Sequence, residues 1–185
     1  MGRRDIKRTV KSVLLGGAGV LGSLSAGAQQ SAAPTVSAAD PFANVPARSY
    51  IAAADIASRI KDAEVAAKGD ADPPAGVLLK AGPTMAVMSY RKKPADHAEV
   101  HETDDELFVV LEGAGALTMG GSLVDPTRHG TSLWSNKTDG GTVYTLTKGD
   151  MILVPANSPH RVTRVDGPKL VLLSVHIVRP VTGGS

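Results

Sequence analysis

His97-Ala-Glu-Val-His-Glu-Thr-Asp-Asp-Glu106 and, later in the chain, Gly149-Asp-Met-Ile-Leu-Val-Pro-Ala-Asn-Ser-Pro-His160 are the stretches whose reading decides the fold. Glu99 and His101 are two residues apart, so on a strand they share one face while Val100 takes the other. His97 has the same parity. Glu106 follows a short polar turn and opens the apolar run Leu107 to Leu111, and a carboxylate that begins a buried strand needs a partner for its charge. His160 closes a second apolar run behind Pro155, Asn157 and Pro159. Two imidazoles and two carboxylates drawn into one barrel would suit a borderline divalent metal ion.

The two stretches resemble the two motifs of the cupin superfamily. The first motif reads Gly, five residues, His-x-His, three or four residues, Glu, six residues, Gly. It is matched by Glu99-x-His101, four residues, Glu106, six residues, Gly113. The second reads Gly, five residues, Pro-x-Gly, two residues, His, three residues, Asn. Gly149, Pro155-Ala-Asn157, His160 and Arg164 stand at those spacings. The chain departs at Glu99 for the first His, Asn157 for the turn Gly and Arg164 for the terminal Asn, and lacks the Gly that opens the first motif. Asn tolerates the left-handed backbone that Gly would supply. The resemblance covers residues 76 to 178. It implies an all-β fold, the cupin double-stranded β-helix or jelly-roll barrel, with one divalent metal ion on Glu99, His101, Glu106 and His160. The metal's identity among iron, manganese, zinc and nickel stays open. Glu106 doubles as the candidate catalytic carboxylate, a homodimer is the implied assembly, and a small molecule is the implied ligand or substrate.

The choice of fourth ligand lies between Glu99 and His97. Glu99 stands where the motif places a ligand, and His97 is then a residue of the pocket behind the metal. Phe108 and Trp134 are further pocket candidates, Trp134 being either a plug that packs its loop or a wall of the pocket. His176, alone in the apolar run Leu172 to Val178, is a core histidine or a pocket residue. His129 reads as solvent-exposed, Glu102 to Asp105 as a solvated turn, and Arg164 as a surface ion-pair partner that would hold a substrate carboxylate if it faced inward.

The chain has 185 residues, a formal net charge of +2 and no cysteine, which excludes disulfides and thiolate chemistry. The basic character is local. Arg3, Arg4, Lys7, Arg8 and Lys11, against Asp5, lie in the first 28 residues, and removing them leaves 15 of the 20 Lys+Arg and 17 of the 18 Asp+Glu. No basic patch interleaved with aromatics remains, so nucleic-acid binding has no support. Residues 1–28 read as an export signal, with basic residues, the short apolar run Val13 to Leu21 and Ala26-Gly-Ala28 at the cleavage position. Arg3-Arg4 resembles the twin-arginine signal, which implies a periplasmic location. The apolar run is too short for a stable membrane span.

Residues 29–48 read as an Ala, Ser and Pro-rich linker and 49–75 as a helix with its connection. The helix is expected over Tyr50 to Lys68, where Ile56, Ile60, Ala63 and Ala67 keep helical spacing before Gly69. The barrel is expected over 76–178, with a tail at 179–185. Strands are expected at 76–80, 84–91, 97–101, 106–112, 115–119, 142–147, 151–154, 160–165 and 169–178. Gly120 to Gly141 reads as a long loop over the barrel mouth. Val77, Leu79 and Val87 are candidates for the dimer surface or for the core. Cupins host oxygenases, isomerases, lyases and plain binders, so the functional expectation is a metal-dependent enzyme using Lewis-acid or O2 chemistry, with a non-catalytic binding module or a vestigial barrel as alternatives.

Overall fold

The computed structural model of the protein describes residues 44–179. The expected signal segment, most of the linker and most of the tail lie outside them. Among the described residues one helix, α1 (Ala53–Ala66), precedes eleven strands: β1 (Gly76–Ala81), β2 (Thr84–Arg91), β3 (Ala98–His101), β4 (Asp104–Met119), β5 (Ser122–Val124), β6 (Thr127–His129), β7 (Ser132–Ser135), β8 (Lys137–Asp139), β9 (Thr142–Thr147), β10 (Met151–Val154) and β11 (His160–Val178). The fold class is the one expected, an all-β antiparallel jelly roll behind a short helix.

Two long strands organise it. β4 and β11 pair antiparallel from His160 opposite Met119 to Val178 opposite Asp104. Each half of this ribbon takes different neighbours. The half formed by the start of β4 and the end of β11 is flanked by β10, then by β2 and β1. The other half is flanked by β9 and by β3, β7 and β6. The inner faces meet in one apolar cluster that includes Phe108, Val110, Leu117, Leu146, Val162 and Leu172. β1 and β6 end the path of paired strands, while β9 and β10 have one neighbour each, so the expected barrel is open in its hydrogen bonding.

The ribbon crosses from one half to the other at Gly113, where the expected strands 106–112 and 115–119 fuse into β4. Gly113 has φ 81 and lies opposite Leu170, and a Cβ there would overlap the Lys169 carbonyl oxygen. Register shifts between Asp166 and Leu170 let β11 follow the same bend, which fuses its two expected pieces as well. Along β4, Asp104, Glu106, Phe108 and Val110 are buried while the residues between them are only partly so, the period of two that aims Glu106 inward.

α1 covers the outer face of the first half. Ile60 is buried with Leu78, Met88, Tyr90 and Val171, and Ile56, Ala63 and Ala67 pack beside it. The apolar spacing read from the sequence is thus the face that docks. The helix is shorter than Tyr50 to Lys68 because Ala52 is extended and Ala67 leaves helical geometry. No side chain caps its start, and Asp55 in the first turn, paired with Arg48 at 3.0 Å, complements the helix dipole.

The stretch Gly120 to Gly141 is a correction to the sequence reading. It holds four short strands instead of a loop, because Asp125, Gly130 and Gly140, at φ 48, 61 and 75, reverse the chain tightly. β6 and β7 extend the sheet from β3, and β5 pairs β8. Among the residues considered for a dimer surface, Val87 is buried and faces the central cavity, and Leu79 packs with the cluster under α1.

Replacing Gly113 by Ala is expected to lower stability by about 1–3 kcal/mol through its positive φ alone, with the backbone overlap added. Thermal melting would show this as a large fall in Tm, and an unchanged Tm would mean that the crossing does not depend on this glycine.

Candidate metal centre

The strand register assembles the site. His160 lies opposite Glu99 in the β11–β3 pair, and His176 lies opposite Glu106 in the β11–β4 pair. Directly opposed residues share a face and bring their side chains within reach. Glu99 is also opposite Trp134 on β7. His97, Glu99 and His101 share the inner face as their parity requires, while Ala98 and Val100 are buried on the other side. The turn before His160 holds Asn157 at φ 65, the left-handed position expected of it, and its N–H donates to the His101 carbonyl at 2.8 Å, tying the two motifs together.

All eight residues singled out in the sequence, namely Glu99, His101, Glu106, His160, His97, Phe108, Trp134 and His176, line one cavity of about 500 Å³. Glu106 is its centre. Its Oε2 lies 3.2 Å from His101 Nε2 and 3.0 Å from His160 Nε2, and its Oε1 lies 3.5 Å from His176 Nε2. Glu99 Oε1 is 3.9 Å from His160 Nε2, and its side chain is about one third exposed (32%) against 5% for Glu106. Each imidazole has its other nitrogen engaged. Nδ1 of His101 meets Ser132 Oγ at 3.0 Å, Nδ1 of His160 meets the Ser158 carbonyl at 3.2 Å, and Nδ1 of His176 meets Asp104 Oδ2 at 2.7 Å.

Burial alone would lower the pKa of His101, but the Glu106 carboxylate beside it, with the charges of Glu99 and Asp104, carries it from 6.5 up to about 9. Burial would likewise raise Glu106, yet His101 and His160 hold it well below the usual carboxylate range. The same opposition acts further out. Asp104 is lowered against its burial by His176, and His176 is raised against its burial by Asp104 and Glu106.

One observation tests whether these residues fit a metal ion. His101 Nε2, His160 Nε2 and Glu106 Oε2 are buried, and despite their short separations none of them has the alignment of a hydrogen bond. Three ligand atoms thus face one another without satisfying one another, a costly arrangement for buried polar groups. A divalent cation would satisfy all three. Donor atoms of Glu99, His101 and His160 lie within 4.8 Å of one another, and so do those of His101, Glu106 and His176. The residues fit the ion that the cupin resemblance implies.

His97 belongs to neither triad. Its ring stacks on Trp134 at 4.2 Å, and His129 stacks on Trp134 at 3.9 Å. Trp134 sits at the cavity wall with its Nε1 buried and without a hydrogen-bond partner. Arg164 is an exposed partner of Asp166 at 2.8 Å, whereas Arg161 and Arg91 reach the cavity. The reading of Glu102 to Asp105 as a solvated turn is corrected. Asp104 is buried against His176, Asp105 accepts from the Ala156 N–H and pairs with Arg179, and Glu102 pairs with Arg128. Asp104 and Ser132 are the site residues that sequence reasoning missed. Only the parity of Asp104 with Glu106 pointed to the first, and nothing local pointed to the second.

No protein-family model matches the sequence, and no curated protein does. Among solved structures, the chain is similar to the Cnp3 cupin domain of Schizosaccharomyces pombe, at 15% identity over 57% of this chain and 60% of that one, with a TM-score of 0.42. A Bacillus halodurans protein is 16% identical over 75% of this chain and 87% of that one, TM-score 0.49. A Thermus thermophilus protein is 18% identical over 58% and 84%, TM-score 0.42. Likenesses of this size say nothing about activity.

The metal-free protein is expected to be most stable between about pH 4.5 and 6.5. His101, raised in the folded state, contributes stability in full below 6.5 and loses it as pH rises to about 9. Glu106, lowered in the folded state, contributes above 4.5 and loses it as pH falls. Melting of chelator-treated protein across this range checks the window, and a Tm that does not fall between pH 6.5 and 9 contradicts it.

Proposed function

We propose that this chain is a metal-binding cupin that uses one divalent ion to act on a small molecule. The observation that carries the reading is the set of three buried, unsatisfied ligand atoms on His101, Glu106 and His160. When bound, the ion would supply Lewis-acid activation of a carbonyl or hydroxyl, or O2 chemistry if it is iron. Glu106 is enclosed by imidazoles and holds the ion. Glu99 is more exposed, and its carboxylate can bind the ion or accept a proton from a bound substrate.

The cavity lining supports a substrate class. Arg161 and Arg91, the latter paired with Asp72 at 3.5 Å, both line a space of about 500 Å³. Arg161 spends its Nε on the Ala95 carbonyl and Nη1 on the Asn136 carbonyl, and among the described residues its Nη2 has no hydrogen-bond partner. A small molecule with a carboxylate or similar anion suits that wall. Phe108, whose ring is 5.8 Å from that of His160, keeps the inner end apolar.

Protein purified without affinity-tag metals is expected to carry about one equivalent of divalent metal. Removing it with a chelator should lower Tm, since a ligand at a thousand times its dissociation constant stabilises by about 4 kcal/mol. His160→Ala should remove both the metal and the chelator effect. Elemental analysis that finds no metal, with stability indifferent to added metal, would overturn the reading in favour of a vestigial barrel. With metal bound, turnover of small organic acids and O2 uptake separate an enzyme from a binding module.

We also propose export to the periplasm, from the signal-like residues 1–28, and a homodimer. The dimer reading is supported by β10, an edge strand with Met151 and Leu153 exposed on one face. Protein from the native host should have a mature mass starting near Gln29 and twice the chain mass by light scattering. An intact Met1 rejects export, and a monomer rejects the dimer.

A further inference from the structure

We propose that His176, held by Asp104, is the third imidazole ligand of the metal, and that Glu99 is thereby left free on the substrate side of the site. The inference rests on the metal-binding reading above and assigns one more residue to that site.

The argument begins with the register. His176 is the direct cross-strand partner of Glu106, the residue at the centre of the cluster, so the pairing of β4 with β11 fixes where its ring can go. Its Nε2 reaches Glu106 Oε1 at 3.5 Å, and its donor atom forms a triad within 4.8 Å with those of His101 and Glu106. The His176 and His101 ring centroids are 5.0 Å apart with their planes at 81°, so both imidazoles sit at the same cluster.

The partner behind His176 points the same way. The 2.7 Å contact of His176 Nδ1 with the buried Asp104 carboxylate can exist only with the proton on Nδ1, because an ionised carboxylate accepts and does not donate. That tautomer leaves the Nε2 lone pair pointing away from Asp104, toward Glu106. A carboxylate behind an imidazole is the arrangement that orients a metal-binding histidine and raises its basicity. Asp104 is also two residues from Glu106 on the same face of β4, so one strand supplies both the ligand and the group that aims its neighbour.

Glu99 shares the cross-strand placement, opposite His160, and a 4.8 Å triad with His101 and His160, and it differs in exposure, at 32% against 21% for His176. Its carboxylate is the more exposed, and the contact that brings it to the cluster is the 3.9 Å approach to His160. With His101, His160, His176 and Glu106 on the ion, the donor set is three imidazoles and one carboxylate, and Glu99 keeps its charge for the substrate.

Zinc affinity by chelator competition and zinc X-ray absorption, which counts imidazole ligands, test this on the full chain. Wild-type protein should show three imidazoles. His176→Ala and His176→Gln should show two, with an affinity loss like that of His101→Ala, and Asp104→Asn should weaken zinc by about 10–100-fold. Glu99→Gln should keep three imidazoles and lose less than about tenfold. His176→Gln keeps most of the side-chain bulk, so it serves if the Ala variant does not fold. Wild-type zinc binding with two imidazoles, or His176 variants that bind as wild type does, would overturn the assignment and leave the metal reading standing. No zinc binding by wild type would overturn both.

Discussion

The antiparallel pairing of β4 with β11 is the constraint on which the rest depends. It joins the two halves of the jelly roll, and it sets histidines from the end of the chain against carboxylates from the middle. A side-chain period of two makes this arrangement all or nothing. A one-residue slip in register would put Glu106 and His176 on opposite faces of the ribbon. The bend at Gly113 and the register shifts between Asp166 and Leu170 therefore bear on chemistry as well as on shape. They absorb the change of sheet without disturbing the stretch where His176 faces Glu106.

Burial gives the cluster its character. Glu106 sits in a setting that alone would keep a carboxyl group protonated, yet its imidazole neighbours hold it ionised. The charges compensate one another only in part, since the shortest contacts are misaligned for hydrogen bonding. Such a cluster is a poor way to stabilise a core and a good way to leave a place for a cation. The outer contacts to Ser132, Ser158 and Asp104 meanwhile fix the rings before any ion arrives, so little ordering remains to be done on binding.

Much of this was legible in the residues. The parity of His97, Glu99 and His101, the carboxylate opening an apolar run, and the helical spacing of Ile56, Ile60 and Ala63 are local patterns; the first describes the face that lines the cavity, and the other two the faces that pack inward. The left-handed turn at Asn157 was legible for the same reason. What was not legible depends on long-range register. His176 is one histidine in an apolar run, and its direction follows from pairing across dozens of residues and several bulges. Asp104 looked like part of a solvated acidic turn because nothing nearby announces a histidine arriving 72 residues later. The strands in Gly120 to Gly141 are too short to show a period, and only their tight turns are visible in the sequence. Glu99 and His97 were alike in parity, and what separates them is the indole that draws His97 aside.

That indole has a consequence of its own. Trp134 is the only tryptophan in the chain, and it stands between two imidazoles at the wall of the cavity. The near-ultraviolet emission of the folded protein therefore comes from a single place, with no second fluorophore of its kind to dilute it. A molecule entering the cavity alters the surroundings of that one ring, and loss of the β3–β7 pairing exposes it to water. The protein thus carries its own optical label, fixed by the same strand that frames the metal centre.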